Sequence, residues 1–210
     1  MPAEMRAYPA SLSVDMPSEY DRLTVFFRAL WILPVLILIG FLFGYRGGDG
    51  CDQSWRLIAQ GGGFVIVPTM LMILFRKKYP RWWFDWNVAL TSFALRVLAY
   101  LLLLTDDYPS TDEEQSVHVE LAYPIAESDL ARGLPLIKWF LVIPHILILW
   151  LLDLALMIAM PLIWLVVLFT GGYPSDLFDL VVGLLRWHLR VHAYALLMIT
   201  DEYPPFALRD

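Results

Sequence analysis

Long apolar runs separated by short polar segments dominate the pattern of this chain. The longest run, Leu134–Phe169, contains three strongly polar side chains, Lys138, His145 and Asp153. One helix of that length would extend about 54 Å at about 1.5 Å per residue, whereas the hydrocarbon core of a bilayer is about 30 Å thick. The pattern therefore predicts two membrane spans, at about 134–152 and 154–169, joined by a turn near Asp153.

The first half of the chain follows the same pattern. Its apolar runs predict spans at about 23–43 and 57–75, and residues 44–56 between them form a Gly-rich polar stretch. That stretch falls at the position equivalent to Asp153, which supports a turn there. Each half is therefore predicted to contain a transmembrane helical hairpin.

A third helix is predicted after each hairpin, at about 82–104 and 177–199. The second of these helices carries polar groups through its middle, among them Arg186 and Arg190. An arginine at the bilayer centre costs about 2.5–3.5 kcal/mol, and a helix lying in the interface avoids most of that cost. We therefore expect both helices to be amphipathic and interfacial, although Trp82–Leu104 is apolar enough to span the membrane.

An ordered series of matches relates the two halves. Upstream, Arg28-x5-Pro34 recurs as Lys138-x5-Pro144. Chance could supply one match, but an ordered series predicts two tandem copies of one unit, residues 8–109 and 117–205. Three further segments of the first half recur about 94 to 95 residues later: Tyr79-Pro80-x3-Phe84-Asp85, Arg96-Val97-x-Ala99-Tyr100 and Thr105-Asp106-Asp107-Tyr108-Pro109.

Short segments before each hairpin have a different period. Ser11–Asp15 and Val117–Leu121 alternate polar and apolar residues, which is typical of half-buried strands. Since either strand would be unstable alone, their pairing would tie the two copies together. The predicted fold is thus an all-α membrane protein of two tandem repeats, each a transmembrane helical hairpin plus an interfacial amphipathic helix, with short β-strands before each hairpin.

Composition supports this fold and narrows the function. Hydrophobic residues make up 59% of the chain and charged residues 17%, which is more apolar surface than a soluble domain of this length can bury. The net charge of -6 argues against nucleic acid as a partner. Cys51 is the one cysteine in the sequence, which excludes an intramolecular disulfide and a cysteine-based metal site.

Basic residues are distributed unevenly about the predicted hairpins. Of the 15 Lys and Arg residues, two, Arg46 and Arg56, lie on the side of the turns, and the remaining 13 lie on the side of the termini or in helices reached from it. Cytoplasmic segments of membrane proteins carry an excess of Lys and Arg. The distribution therefore predicts a multi-pass protein with both termini in the cytoplasm.

One face of each third helix carries an acidic, a basic and a tyrosine side chain. We expect a structural role, because Asp in the first turn complements the helix dipole, and Arg and Tyr anchor a helix at head-group level. The alternative is that the arginines, with Arg186, bind anionic lipid head groups or a charged substrate. The residues are Asp85, Arg96 and Tyr100 in the first copy and Asp179, Arg190 and Tyr194 in the second.

Two further basic residues occupy equivalent places in the first predicted spans. Arg28 and Lys138 each lie six residues before a span proline. The simplest interpretation is that both side chains snorkel to the membrane boundary. The alternative is that they face inward as counter-charges in a transport path.

A pair of histidines raises the question of a metal. His188 and His192 are one helical turn apart, which is the spacing of a metal half-site. Further ligands are not evident, since Cys51 is predicted on the far side of the membrane. We therefore expect no metal or other cofactor, and hydrogen-bonding roles for both imidazoles.

Four motifs stand out in the second half: Ile143-Pro144-His145, Phe169-Thr170-Gly171-Gly172-Tyr173-Pro174, Phe178-Asp179 through Arg186-Trp187, and Thr200 through Phe206. At these motifs the chain resembles DUF4389, a bacterial membrane family of unknown function. The first half departs from the pattern, since Val35 replaces the histidine and Ser92-Phe93 replace the Arg-Trp pair. The resemblance implies a location in the bacterial inner membrane but no activity.

Three classes of function are compatible with these patterns. The first is a non-catalytic accessory or scaffold subunit of a membrane assembly, with lipids and other membrane subunits, or further copies of itself, as partners. The second is a lipid-interacting or transport protein that uses the arginine-bearing helices at the repeat interface. The third, a membrane enzyme, needs a convergent catalytic cluster. The candidate residues are too scattered in sequence to predict one.

Overall fold

The computed structural model describes residues 8–42, 63–111 and 113–209, which are mostly helical with one two-stranded sheet. The strands are β1 (Ala10–Val14) and β2 (Val117–Leu121). The helices are α1 (Arg22–Trp31), α2 (Leu33–Leu42), α3 (Gly63–Leu71, continued by π-helical Met72–Arg76), α4 (Arg81–Leu101), α5 (Ala126–Asp129), α6 (Leu134–Leu141), α7 (Ile143–Thr170) and α8 (Ser175–Ala195).

The predicted pairing of the two short strands is confirmed. β1 and β2 are antiparallel, with Ser11 opposite Glu120 and Ser13 opposite His118. The alternation in β1 turns Ala10 and Leu12 into the core, and β1 packs on α8. The sheet therefore joins a strand from the start of the chain to one from its middle.

A proline near the start of α2 and of α7 explains the break before each helix. Pro34 and Pro144 each occupy the second position of their helix. Proline has no N–H for the carbonyl four residues back, and its ring disfavours helical backbone in the preceding residue. The chain therefore interrupts its helix at Ile32 and at Val142, whose N–H groups still donate to the carbonyls of Arg28 and Lys138, both at 3.0 Å.

The predicted turn near Asp153 is wrong. α7 runs without interruption from Ile143 to Thr170, so the spans predicted at 134–152 and 154–169 are parts of one nearly continuous rod. The residues around Asp153 are mainly Leu, Ala and Met, which are strong helix formers. Asp153 itself is exposed and its carboxylate lies 3.1 Å from the His188 imidazole on α8, so the charge has a partner without a turn. The turn predicted at 44–56 lies outside the described residues.

The third helices begin near their predicted positions, but α8 is more enclosed than expected. Over half of its residues are buried, because β1, α6 and α7 all pack against it. α1 packs against α7, where the Trp164 indole donates to the Val25 carbonyl at 2.9 Å. The core therefore lies around α8 and links the first and last parts of the chain.

The outer face of α6 and α7 is apolar. Leu134–Thr170 is long and apolar enough to cross a membrane. Soluble monomers rarely expose a contiguous apolar patch of this extent, so this surface supports membrane association. Its exposed large side chains include Phe140, Ile143, Leu147, Trp150, Met157, Ile158, Leu162 and Phe169.

Candidate functional site: two buried ion pairs and a histidine–aromatic cluster

The first ion pair joins the last turn of α1 to the segment after α4. The Arg28 guanidinium bonds to the carboxylate of Asp106 and donates to the Tyr100 carbonyl at 2.7 Å. Its central carbon lies 4.4 Å from the centroid of the Tyr100 ring. Asp106 in turn accepts from the Asp21 backbone N–H at 2.8 Å. A carboxylate, a carbonyl and an aromatic face thus share one buried cation.

The second ion pair has the same components in the last turn of α6. The Lys138 ammonium lies 2.8 Å from the Asp201 carboxylate and donates to the Thr200 carbonyl at 2.6 Å. It also lies 4.8 Å from the centroid of the Tyr194 ring. Asp201 accepts from the Ala131 backbone N–H at 2.6 Å. The last turn of a helix is again fixed to the segment after a third helix.

Left-handed backbone turns orient both carboxylates. Leu103 has φ 63° and Met198 has φ 55°, conformations that are strained for residues with large side chains. Both side chains are buried, so packing holds the strained backbone in place. Two residues further on, the hydroxyls of Thr105 and Thr200 each accept a backbone N–H at 3.1 Å. The chain thereby reverses after α4 and after α8 and points the following aspartate back at its cation.

The snorkelling interpretation of Arg28 and Lys138 is wrong. Their exposed fractions are 4% and 0%, and both are held inside by a carboxylate. A buried charge without a partner is strongly destabilising, whereas a paired and hydrogen-bonded one is tolerated. The partners are distant in sequence, which is why the pattern of single residues did not predict them.

The arginines of the third helices bond to backbone carbonyls. Arg96 donates to the Ser110 carbonyl at 2.8 Å and Arg190 to the Ala207 carbonyl at 3.1 Å, so both hold the segment that follows their helix. Arg186 donates to the Leu12 carbonyl of β1 at 3.1 Å. Asp85 and Asp179 are exposed, in the first half of their helices.

Burial separates the predicted head-group contacts into two sets. Tyr100, Tyr194 and Arg190 are each at most 3% exposed, so a lipid head group cannot reach their side chains in this fold. Arg96 and Arg186 are half-buried, and for them head-group contact stays a prediction. The two tyrosines instead supply the aromatic faces of the ion pairs.

A histidine–aromatic cluster lies beside the second ion pair. The Trp187 indole donates to Nδ1 of His145 at 3.0 Å, and the Phe206 ring stacks on the imidazole at 3.9 Å between centroids. Because Nδ1 accepts, the proton of the neutral imidazole lies on Nε2. That nitrogen is buried, with no hydrogen-bond partner among the described residues. Tyr203 borders both features, 4.9 Å from the His145 ring and 5.9 Å from the Tyr194 ring.

Sequence reasoning did not predict this cluster, although its signal was present. His145, Trp187, Tyr203 and Phe206 belong to three separate motifs of the second half. The structure brings these motifs into contact around one imidazole. At the equivalent place in the first half, Val35 and Phe93 lie in one apolar cluster with Ile32, Val97 and Tyr100.

The histidines of α8 face different partners. His188 pairs with Asp153, whereas Nε2 of His192 lies 3.5 Å from the Thr91 hydroxyl of α4. Burial lowers the pKa of His192 to about 4, so its imidazole is neutral at neutral pH. Within residues 8–42, 63–111 and 113–209, no group of three or more His, Cys, Asp or Glu side chains is arranged to hold a metal ion. Cys51 lies outside these residues.

The C-terminal segment crosses α8 at a glycine. A Cβ atom at Gly183 would lie 2.6 Å from the carbonyl oxygen of Leu208, so only glycine allows this approach. Arg186 and Arg190 donate to carbonyls of the same segment, those of Leu208 and Ala207. Phe206 is held against His145 by this path of the chain.

Comparison with known proteins finds a family match in the second half of the chain. Residues 135–207 match the family described as Domain of unknown function (DUF4389), which confirms the resemblance for the second predicted copy; the first copy is not detected. No curated protein and no solved structure matches the chain. The matched segment begins just before Lys138 and ends just after Phe206, so it contains the second ion pair and the histidine–aromatic cluster. Over residues 135–207, from α6 to the segment that follows α8, the chain is therefore similar to the DUF4389 family.

Proposed function

We propose that the protein is a non-catalytic structural subunit that holds or organises an assembly in the membrane. The observation that carries this proposal is the direction of the buried polar side chains. Arg28, Lys138 and Arg190 each bond to a carboxylate or a backbone carbonyl of the same chain. Catalytic side chains need to face a cleft that a substrate can enter. These side chains instead stabilise the fold from inside.

Two copies of one unit, residues 8–109 and 117–205, account for the likeness of the two ion pairs. Each has a cation four residues before a helix break, an aspartate after a left-handed turn, and a tyrosine ring over the cation. The aromatic edge contacts are also alike, since Tyr100–Tyr108 and Tyr194–Tyr203 both have centroids 5.9 Å apart. A shared origin by duplication is the simplest cause of so many matching details.

The apolar rod formed by α6 and α7 supports a position in the bilayer. Its 37 residues extend about 55 Å at about 1.5 Å per residue, which exceeds a hydrocarbon core of about 30 Å. Asp153 and His188 are exposed and polar, and such groups are strongly disfavoured at the bilayer centre. We therefore propose that the rod enters the membrane obliquely, with Asp153 at head-group level and residues 154–170 in the hydrocarbon.

The partners we propose are membrane lipids and other membrane subunits, or further copies of this chain. The bacterial inner membrane stays a prediction from the family resemblance. The prediction that both termini lie in the cytoplasm depended on a turn at Asp153. Because α7 is continuous there, this prediction has no basis in the second copy. For the first copy it stays a prediction from the distribution of Lys and Arg.

The test is the state of the full chain in its own membrane. Membranes containing the tagged protein would be treated with a lipid-phase cross-linker, solubilised and separated under native conditions. We expect the chain in a membrane fraction that resists carbonate extraction and in one assembly of fixed composition. Lys138→Met should disperse that assembly, because it leaves the half-buried Asp201 carboxylate without its cation, and the exposed control Asp179→Asn should not. A wild-type chain that stays monomeric at every cross-linker concentration would refute a scaffold role.

A further inference from the structure

An apolar groove lies between α7 and α8. Its volume is about 230 Å³. Two small side chains on α7, Ala155 and Ala159, leave space where larger residues would close the contact between the helices. Opposite them, Leu177, Leu180 and Leu184 of α8 follow one another at helical spacing.

An empty groove of this size would be unfavourable. Unfilled apolar volume between packed elements destabilises a protein in proportion to its size, because the lining atoms lose their packing partners. Water is a poor filler, since a buried water needs two or more polar partners and every lining side chain is aliphatic. The groove therefore favours an apolar occupant.

One end of the groove is polar. Leu152, which lines the groove, is adjacent to Asp153, and the carbonyl of Leu184 lies 2.9 Å from Nδ1 of His188. The side chains of His188 and Asp153 are both partly exposed, so their polar atoms can contact a polar group outside the protein. From this pair the groove runs towards Ile163 and Leu177, along aliphatic side chains. The site thus has the polarity of an amphiphile, with one polar end and an apolar channel.

We propose that the groove holds one acyl chain of a membrane phospholipid, with its ester and head-group end at His188–Asp153 and its methyl end towards Ile163. This inference rests on the membrane location proposed above. The exposed apolar face of α7, which carries Met157 and Ile158 outside the groove, would bring lipid chains to this side of the protein. The acyl chain supplies the packing that the two alanines leave out.

Two photoreactive lipids test the site and its direction. The full chain would be reconstituted in phosphatidylcholine bilayers containing a trace of phosphatidylcholine with a diazirine either near the carbonyl or near the methyl end of one acyl chain. After photolysis, labelled residues would be mapped by peptide mass spectrometry. We expect the carbonyl-end probe to label near Leu152 and Leu184, and the methyl-end probe to label near Ile163 and Leu177.

Filling the groove provides the matched comparison. Ala159→Phe should reduce labelling of the α8 wall about tenfold, whereas Ile158→Phe on the exposed face of the same turn should leave it unchanged. Ala159→Leu is the substitute if circular dichroism finds Ala159→Phe unfolded. Equal labelling of the α8 wall in the filled and control variants overturns the site, and reversed positions of the two probes overturn its direction.

The same preparation separates the possible failures. If the chain does not enter bilayers at all, the proposed membrane function fails together with the site. If it enters them but the α8 wall stays unlabelled while Phe169 on the exposed face is labelled, the membrane location stands and the lipid site is wrong. Cross-links between two chains at the α8 wall would identify a second copy as the occupant, which also overturns the proposal.

Discussion

The two halves of the molecule share one arrangement of an ion pair but surround it with different side chains. Each half fixes the last turn of a helix to the segment after its third helix by an ion pair with a buried cation, Arg28–Asp106 or Lys138–Asp201. Beyond the ion pair the halves diverge, since Val35 and Phe93 pack as apolar neighbours in one half, whereas His145 and Trp187 are hydrogen-bonded in the other.

The difference indicates which part is general and which is specialised. The ion pair is present in both halves, where it accompanies a broken helix and a returning aspartate. The hydrogen-bonded pair lies in the half that the DUF4389 family matches, and the equivalent described residues of the other half, Val35 and Phe93, are apolar. A buried imidazole and indole are harder to accommodate than Val and Phe, because every polar atom needs a partner. The first half shows that the fold can close without them.

The largest effect is expected from removing either aspartate. Asp106→Ala and Asp201→Ala each leave a buried cation without its carboxylate, and we expect a loss of about 3–5 kcal/mol in the free energy of unfolding. A lysine can shed its proton when it is buried, whereas an arginine stays charged. Asp106→Ala should therefore be the more damaging substitution, and the gap should widen as the pH rises. Thermal unfolding in nanodiscs at several pH values measures both; equal losses at all pH values would contradict this difference.

Gly183→Ala should displace the C-terminal segment. The added methyl group would overlap the Leu208 carbonyl, and relief by backbone movement costs about 1–3 kcal/mol. Because the same segment carries Phe206, we also expect a change in the near-ultraviolet circular dichroism of the aromatic cluster. The exposed Gly172 offers a control, since a Cβ atom there meets no atom within 4 Å. Equal stability of Gly183→Ala and Gly172→Ala would be incompatible with the tight crossing.

Transplanting the apolar pair of the first half into the second is a sharper comparison. Trp187→Phe alone leaves Nδ1 of His145 buried without a donor and should cost about 1–3 kcal/mol. The double substitution His145→Val with Trp187→Phe recreates the Val35–Phe93 pair and should recover part of that loss, because both polar partners are then removed. Denaturant unfolding of the single and double variants gives the coupling free energy between His145 and Trp187. Simple additivity would mean that the hydrogen bond contributes nothing specific.

At neutral pH the smallest effect is expected from His192, whose contribution to stability changes only on acidification. The pKa of His192 is lowered to about 4 in the folded protein, below the ordinary value of 6.5, so the unfolded chain binds a proton more readily. The stability that depends on neutral His192 is therefore complete above pH 6.5 and is lost as the pH falls from there towards 4. His192→Leu should flatten this part of the stability profile, and the control His188→Leu should retain the slope. An unchanged slope in His192→Leu would assign the acid sensitivity to other groups.

The sequence predicted the local features of the fold well. Alternation in Ser11–Asp15 and Val117–Leu121 identified the paired strands, and the polar residues of 177–199 identified a helix distinct from the apolar rod. The turn predicted at Asp153 was wrong, because it was inferred from the thickness of a bilayer, whereas the residues around Asp153 include no helix breaker. The charge had a partner on another helix, which local pattern does not reveal.

The site was predicted in its residues but not in its contacts. Repetition in the sequence identified both cations, Arg28 and Lys138, but each lies more than sixty residues from its aspartate. It also identified Tyr100 and Tyr194, which were predicted to anchor their helices at head-group level and not to contact the cations. A repeated cation together with a repeated Thr-Asp-x-Tyr-Pro segment was the available signal, since two features duplicated together tend to act together. The groove beside Ala155 arises from missing side-chain volume, which becomes visible only when two helices are placed against each other.

Double-mutant cycles on the two ion pairs test most directly the claim that both halves are closed by the same buried contact. One cycle combines Arg28→Met with Asp106→Leu and the other Lys138→Met with Asp201→Leu, each measured by thermal unfolding of the full chain in nanodiscs. The account predicts a favourable coupling of about 1–3 kcal/mol in both halves, with each double variant more stable than its less stable single variant. Additive losses in either half would show that its cation and carboxylate do not depend on each other, and would contradict the account.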